Sequence, residues 1–325
     1  MDLREHIEDF LLRKEWVSRV EHVEFLAAGE YNENYRVQAD GRRYVFRINH
    51  GSQLGLSNQI EYEYRVLQSL ENSGVTPRPF EYMLDSDIPG DGVLLMEYIP
   101  GDPLEYEKDF DEAARIFAAV HSQPLSADLI VQKKPVFDIA AESLGLIERF
   151  EDHPLKEQRL RLRTYHTEVL RLGEETETLF DEEPLCIVNT EVNSNNFIMR
   201  RRRKQGPCGF LVDWEKAVVS CRYQDLGHFV VPTTTLWKSD FTFDCESRLR
   251  FLETYRSCMD LGLSLEELSM KTEVLEKTIL LRALSWCFMA YYEYSLEDRT
   301  LANQDTFEKI QMYMENMECF LSSNQ

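Results

Sequence analysis

The chain lacks most of what would place it in a membrane, an oxidising compartment or on nucleic acid. Its seven cysteines (Cys186, Cys208, Cys221, Cys245, Cys258, Cys287 and Cys319) are odd in number and widely spaced. None forms a C-x-x-C pair or stands at metal-ligand spacing from a histidine, which excludes a disulfide framework or a zinc ribbon. Free, mostly buried thiols in a reducing cytosol are expected. No apolar run approaches the ~20 residues that span a bilayer. The best candidate, Thr278 to Tyr292, is interrupted by Arg282 and reads as a core helix, so no membrane partner is expected. The opening MDLREHIEDFLLRKEW mixes acids and bases as an amphipathic helix does, unlike a secretory leader, and predicts a cytoplasmic protein.

Positive charge is also scarce. Lys and Arg number 36 against 58 Asp and Glu, a net charge of −22. Such a surface repels nucleic acid, and it attracts small cations if it does more than keep the chain soluble. The single basic run, Arg200 to Lys204, is followed by Gln205-Gly206-Pro207 and reads as a hairpin tip. What is present suits a globular protein: 325 residues, 43% hydrophobic and 29% charged, enough to fill two lobes.

Strand signals dominate the first hundred residues. Val20 to Ala28, Asn34 to Ala39 and Arg43 to Asn49 read as strands, the last two joined by the turn Asp40-Gly41. Ser57 to Asn72 has helical periodicity, with Ile60, Tyr64, Leu67 and Leu70 on one face and Ser57 as N-cap. Further strands fall near Phe80 to Leu84 and Gly92 to Tyr98. After Gly101 helices take over: Phe110 to His121, Phe137 to Phe150, Leu155 to Leu179, Ser247 to Leu261, Thr272 to Tyr292 and Thr306 to Leu321. Only Leu185 to Val188, Asn196 to Arg200 and Gly209 to Asp213 read as strands there. The fold class expected is α+β, with a sheet-rich lobe over 1–99 (its leading helix over 1–19) and a helical lobe over 100–325. The hinge at Ile99 to Pro103 leaves a cleft between them.

Two polar clusters lie on strand edges in the helical half: Asn189-Thr190-Glu191-Val192-Asn193-Ser194-Asn195-Asn196 and Asp213-Trp214-Glu215. Flanking apolar residues would hold Glu191, Asn196 and Asp213 at one edge. Phosphoryl transfer needs such an edge: a carboxylate to orient the attacking hydroxyl and oxygen ligands for Mg²⁺. Read alone, the first cluster is also compatible with a polar turn rich in local hydrogen bonds.

At these residues the chain resembles the aminoglycoside phosphotransferase and choline kinase superfamily, relatives of the protein kinases. That family's catalytic loop runs H-G-D-x-x-x-x-N and is followed by D-W-E or D-F-E. Glu191 and Asn196 keep the five-residue spacing, Asp213-Trp214-Glu215 follows, and Tyr223-Gln224-Asp225-Leu226-Gly227 is similar to the family's Y-x-D-L-A, whose aspartate braces the loop. The match runs over about residues 20 to 230 and implies a protein-kinase-like two-lobe fold. It implies Glu191 and Asn196 as catalytic residues, and Asn196 and Asp213 as Mg²⁺ ligands. For the nucleotide, ATP or GTP, it implies Gly29 and Asn32 in the phosphate-covering loop, Arg47 in place of the strand lysine, and Glu63 as its helix partner, with Glu61 as a competing candidate. It also implies Met96, Glu97 and Ile99 at the adenine, and His121 as a structural residue closing A-x-x-H.

The match has three departures: Glu191 stands for the usual aspartate base, Asn189 for the histidine before it, and Asn193 for a cation. Glutamate has nearly the intrinsic pKa of aspartate but one methylene more. Two readings follow. One is an ATP- and Mg²⁺-dependent kinase for the hydroxyl of a small metabolite, cationic or neutral, of the aminoglycoside, choline or sugar kind. The other is a pseudokinase or nucleotide-binding regulatory module with impaired transfer. The acidic stretch from Glu174 to Glu183 is a candidate attractor for an amine, and oligomeric state is not legible.

Overall fold

A computed structural model describes residues 2–29, 31–125, 128–201, 208–296 and 304–322. The chain opens with helix α1 (Leu3–Arg13), then strands β1 (Val20–Ala28), β2 (Asn32–Ala39) and β3 (Arg42–Asn49), helix α2 (Gln59–Leu70), and strands β4 (Pro79–Met83) and β5 (Gly92–Glu97). These strands form one antiparallel sheet in the order β1-β2-β3-β5-β4. After the short strand β6 (Asp102–Pro103) come α3 (Tyr106–His121), α4 (Pro135–Glu148) and α5 (Lys156–Thr176). Strands β7 (Leu185–Val188), β8 (Phe197–Met199), β9 (Gly209–Leu211) and β10 (Val218–Cys221) follow. Helices α6 (Tyr223–Val230), α7 (Pro232–Lys238), α8 (Cys245–Met259), α9 (Leu265–Tyr294), α10 (Gln304–Glu315) and α11 (Met317–Ser322) complete the chain.

The period-2 alternation of strand side chains decides what each face of the sheet meets. On β3, Tyr44, Phe46 and Ile48 join α1 residues Ile7, Phe10 and Leu11 in one core, as do Val93 and Leu95 of β5. Leu94 and Met96 face the other way, into a core shared with α2 and the helical part of the chain. Arg47, between Phe46 and Ile48, therefore points away from the α1 core. The fold is the sheet-rich and helix-rich α+β arrangement expected, with the hairpin turning at Gly41 (φ 71°).

Several details differ from the sequence reading. Helix α2 begins after Asn58, not Ser57. The Ser52 hydroxyl instead takes the Leu54 and Leu56 N–H groups into a preceding turn. Tyr64 is only half-buried and packs on Tyr82, with ring centroids 4.7 Å apart. The thiols are free but not mostly buried: Cys186, Cys221 and Cys287 are, whereas Cys208, Cys245, Cys258 and Cys319 are exposed. Cys245 and Cys258 lie in the end turns of α8, where neighbours cover less of the surface. Of the basic run, Arg202 to Lys204 lie outside the described residues, as does Glu30 in the first loop. No helix among the described residues is long and apolar enough to cross a membrane.

Candidate active site

The site grows from two loops that the strands carry to one place. The loop after β7 begins with Asn189, whose N–H is held 2.8 Å from an Asp225 carboxylate oxygen; the Thr190 N–H is held 2.9 Å from the other. Asp225 is fully buried on α6, and His121 Nε2 lies 3.3 Å from the same carboxylate, with Nδ1 2.9 Å from the Tyr255 hydroxyl. Burial pulls the His121 pKa below its usual value despite that carboxylate. The asparagine in the family's histidine position is a bridge. Its amide donates to the Asp213 carbonyl at 2.8 Å, and its side-chain oxygen accepts the Glu191 N–H at 3.0 Å. The two loops are thereby tied backbone to backbone.

Thr190 adopts φ 69° and Asp213 φ 64°. An aspartate tolerates that region; a β-branched threonine there is strained, and such strain persists only where surrounding contacts impose it. Here the Thr190 carbonyl accepts from Arg282 at 3.0 Å and its hydroxyl donates to the Lys216 carbonyl at 3.1 Å. Asn193 is occupied locally, its side chain accepting from the Asn195 N–H. Asn196 donates its amide to the Glu191 carbonyl at 2.6 Å, which leaves its side-chain oxygen for another partner.

Asp213 meets the sheet-rich N-terminal region directly. Arg47, 6% exposed, reaches Glu63 at 2.6 Å and Asp213 at 3.2 Å, and its Nε donates to Asn34 at 3.0 Å. Glu63 is 1% exposed, so it is the buried partner of Arg47. Glu61 pairs instead with Arg65 and Tyr82. Burial pushes the Glu63 carboxyl up against the opposing pull of Arg47. Helix α2 grips the second loop at two further points: Gln59 donates to the Glu215 carbonyl at 2.7 Å and the Tyr62 hydroxyl to the Ala217 carbonyl at 2.6 Å. The fully buried Trp214 anchors the turn through its indole N–H on the Leu211 carbonyl.

Carboxylate oxygens of Glu191, Asp213 and Glu215 lie within 4.8 Å of one another. This is an all-oxygen set that suits a hard divalent cation such as Mg²⁺. Burial, then the charges of Asp213 and Glu63, push the Glu215 carboxyl up to about 7; converging carboxylates away from solvent have that effect. Asn32 donates to Glu215 at 2.5 Å and accepts from Asn49 at 2.9 Å. Gly29 is exposed, with open space where a Cβ would sit, and its N–H donates to the Asn32 carbonyl at 2.8 Å. Met96 is buried behind β3, opposite Val45; Glu97 donates its N–H to the Arg78 carbonyl, and the Ile99 N–H meets no acceptor among the described residues.

Beside the carboxylates opens a cavity of about 350 Å³, whose lining includes Glu191, Asn193, Lys216, His228, Arg282, Trp237 and Trp286. Lys216 and Arg282 escaped the sequence reading, although Arg282 had stood out as the charge inside an apolar run. The acidic stretch near Glu177 lies elsewhere. Glu177 pairs with Lys134 and Glu183 with Lys271, and neither lines this cavity.

The model of the phosphotransferase enzyme family matches residues 22–265. The chain belongs to that family. It is thus a small-molecule kinase by family, with the kinase-like fold of its solved relatives. A Plasmodium vivax ethanolamine kinase superposes with a TM-score of 0.64 at 14% identity, covering 93% of this chain and 83% of its own. A choline kinase from Streptococcus pneumoniae gives 0.59 at 19% identity, over 97% and 99%. The GDP complex of wild-type aminoglycoside 2'-phosphotransferase-IIIa gives 0.63 at 16%, over 98% and 99%. No curated protein matches the sequence.

Proposed function

We propose that the chain transfers the γ-phosphoryl group of ATP, or GTP, to a hydroxyl of a small amine-bearing metabolite held in the 350 Å³ cavity. The observation that carries this reading is the position of Glu191. It lines the cavity and also stands within 4.8 Å of the Asp213 and Glu215 carboxylates. One residue thus joins the acceptor space to the metal-binding oxygens. Asp213 and Asn196, with Glu215 beside them, would hold Mg²⁺, which when bound offsets phosphate charge. Arg47, fixed by Glu63, would meet the phosphates, with Asn32 below the covering loop; Met96, Glu97 and Ile99 would frame the base.

Glu191 would accept the hydrogen bond of the acceptor hydroxyl and take its proton. Kinase transition states are loose, so orientation matters more than basicity. Trp237, Trp286 and the acid Glu142, all in the cavity lining, suit a cationic group. The relatives named for choline and ethanolamine support an amine, and the GDP-bound relative supports a nucleotide. Family membership favours transfer over a purely regulatory module.

The test is a panel of hydroxylated amines and sugars screened for thermal stabilisation that requires Mg·ATP, followed by product detection. A stabilising compound that emerges phosphorylated supports the reading, since ligand binding to the folded state raises melting by mass action. No nucleotide binding and no product across the panel would overturn it.

A further inference from the structure

Glu191 is one methylene longer than the aspartate of the family motif, and the position that usually supplies a cation is Asn193. The structure places a different cation at this point. Lys216 Nζ lies 2.5 Å from Glu191 Oε1, and both side chains line the cavity. The lysine follows Glu215 directly, and its carbonyl is held by the Thr190 hydroxyl at 3.1 Å. The backbone beside the acid and the backbone of its partner are therefore fixed to each other as well.

Three carboxylates whose oxygens converge within 4.8 Å repel one another, and a divalent cation would gather all three. Arg47 offsets Asp213 at 3.2 Å. Lys216 offsets Glu191. Mg²⁺ in nucleotide sites needs only one or two protein carboxylates, and a third drawn onto the metal would no longer be available to the acceptor. We propose that Lys216 is a positioning residue that divides the cluster: it tethers Glu191 on the acceptor side and leaves Asp213 and Glu215 to the metal. The glutamate and the lysine are then one device. An aspartate at 191 falls short of the lysine by about 1.5 Å, one C–C bond.

This inference rests on the phosphotransfer reading. In that step the acceptor oxygen attacks the γ-phosphorus, and the bond to the β,γ-bridging oxygen breaks. The nucleoside diphosphate leaves with that electron pair, and the acceptor proton passes to Glu191. Lys216 acts through Glu191 and touches no reacting atom.

The experiment compares wild type with Lys216→Met, Lys216→Arg, Glu191→Asp and the double variant Glu191→Asp/Lys216→Met. Two properties are read: Mg·ATP hydrolysis with water as acceptor, and Mn²⁺ binding without nucleotide by electron paramagnetic resonance. Lys216→Met is expected to lower kcat tenfold or more with KM for ATP within twofold, and to bind Mn²⁺ several-fold more tightly because Glu191 is released to the metal. Lys216→Arg should keep kcat within about threefold. Glu191→Asp should lose as much as Lys216→Met, and the double variant no more than either. Unchanged kcat and Mn²⁺ affinity in Lys216→Met, fully additive losses, or faster turnover without the lysine would each overturn the proposal. A wild type without any hydrolysis or transfer would overturn the phosphotransfer reading itself, an outcome distinct from a turning-over enzyme indifferent to position 216.

Discussion

Replacing Asp225 with asparagine tests how the loop after β7 is held. The carboxylate is fully buried and accepts the Asn189 and Thr190 N–H groups at 2.8 and 2.9 Å, one on each oxygen. An asparagine of the same shape keeps one acceptor and turns an NH₂ toward the other N–H, whichever way the amide is flipped. A hydrogen bond to a charged group contributes about 1.5–3 kcal/mol, and stranding a buried donor adds a cost of similar size. The expected loss is about 3 kcal/mol. With an unfolding entropy of about 2.1 cal/mol/K per residue, that lowers the melting temperature by roughly 4 °C. The effect on turnover should be larger in proportion, because the loosened residues lead directly into Glu191, and a displacement of about 1 Å can cost a hundredfold in rate. Nucleotide affinity should move little, since Arg47 and Glu63 are tied to each other elsewhere. Differential scanning fluorimetry, calorimetric ATP titration and a coupled assay for nucleoside diphosphate release measure all three. A variant melting within 1 °C of wild type with kcat within twofold would refute the reasoning.

Removing the Arg47 guanidinium strands the buried Glu63, so Arg47→Met should cost about 3–5 kcal/mol in chemical denaturation. The double variant Arg47→Met/Glu63→Met should recover most of that stability but not nucleotide binding. Gly227 packs so closely on α9 that a Cβ would lie 2.7 Å from the Glu276 nitrogen. Gly227→Ala should therefore destabilise by about 1–3 kcal/mol, seen as a lower melting temperature. His121 is depressed by burial, with Asp225 opposing and Arg222 assisting. The unfolded chain then binds the proton first as pH falls, so this contribution to stability is complete above about pH 6.5 and is lost below it. Until the native histidine titrates, the loss is about 1.4 kcal/mol per pH unit; melting curves at pH 7, 6 and 5 should show it, and His121→Gln should make it shallower, with His153 and His228, depressed by burial in the same direction, still contributing.

The antiparallel ribbon was legible because its strands alternate and turn at Asp40-Gly41. Strand β1 runs over Val20–Ala28, the same span its pattern predicts. Helix α6 was not legible: all of its residues except His228 are buried, so no polar face marks a period. Strand β10, buried at all four positions, was silent for the same reason. In the site, motif order located the residues of both loops and of the Arg47–Glu63 pair. What it missed are partnerships made only by folding. Lys216 meets Glu191 across 25 positions and Arg282 meets Thr190 across 92, and neither spacing carries a local signal. The departure at Asn189 is also explained only in three dimensions, since a short amide there spans from the Glu191 N–H to the Asp213 carbonyl. Glycine in place of the family's alanine at 227 has its reason in the approach of α9.

If the Asp213 and Glu215 carboxylates, whose oxygens converge with that of Glu191 beside Arg47 at 3.2 Å from Asp213, hold a Mg·nucleotide for transfer, ATP binding must depend on the metal. Isothermal titration of ATP with and without Mg²⁺, on wild type and Asp213→Asn, tests it most directly. Wild type is expected to bind ATP at least tenfold more tightly when Mg²⁺ is present, and Asp213→Asn to lose this dependence while keeping its fold by circular dichroism. ATP binding indifferent to Mg²⁺, or unchanged in Asp213→Asn, would contradict it.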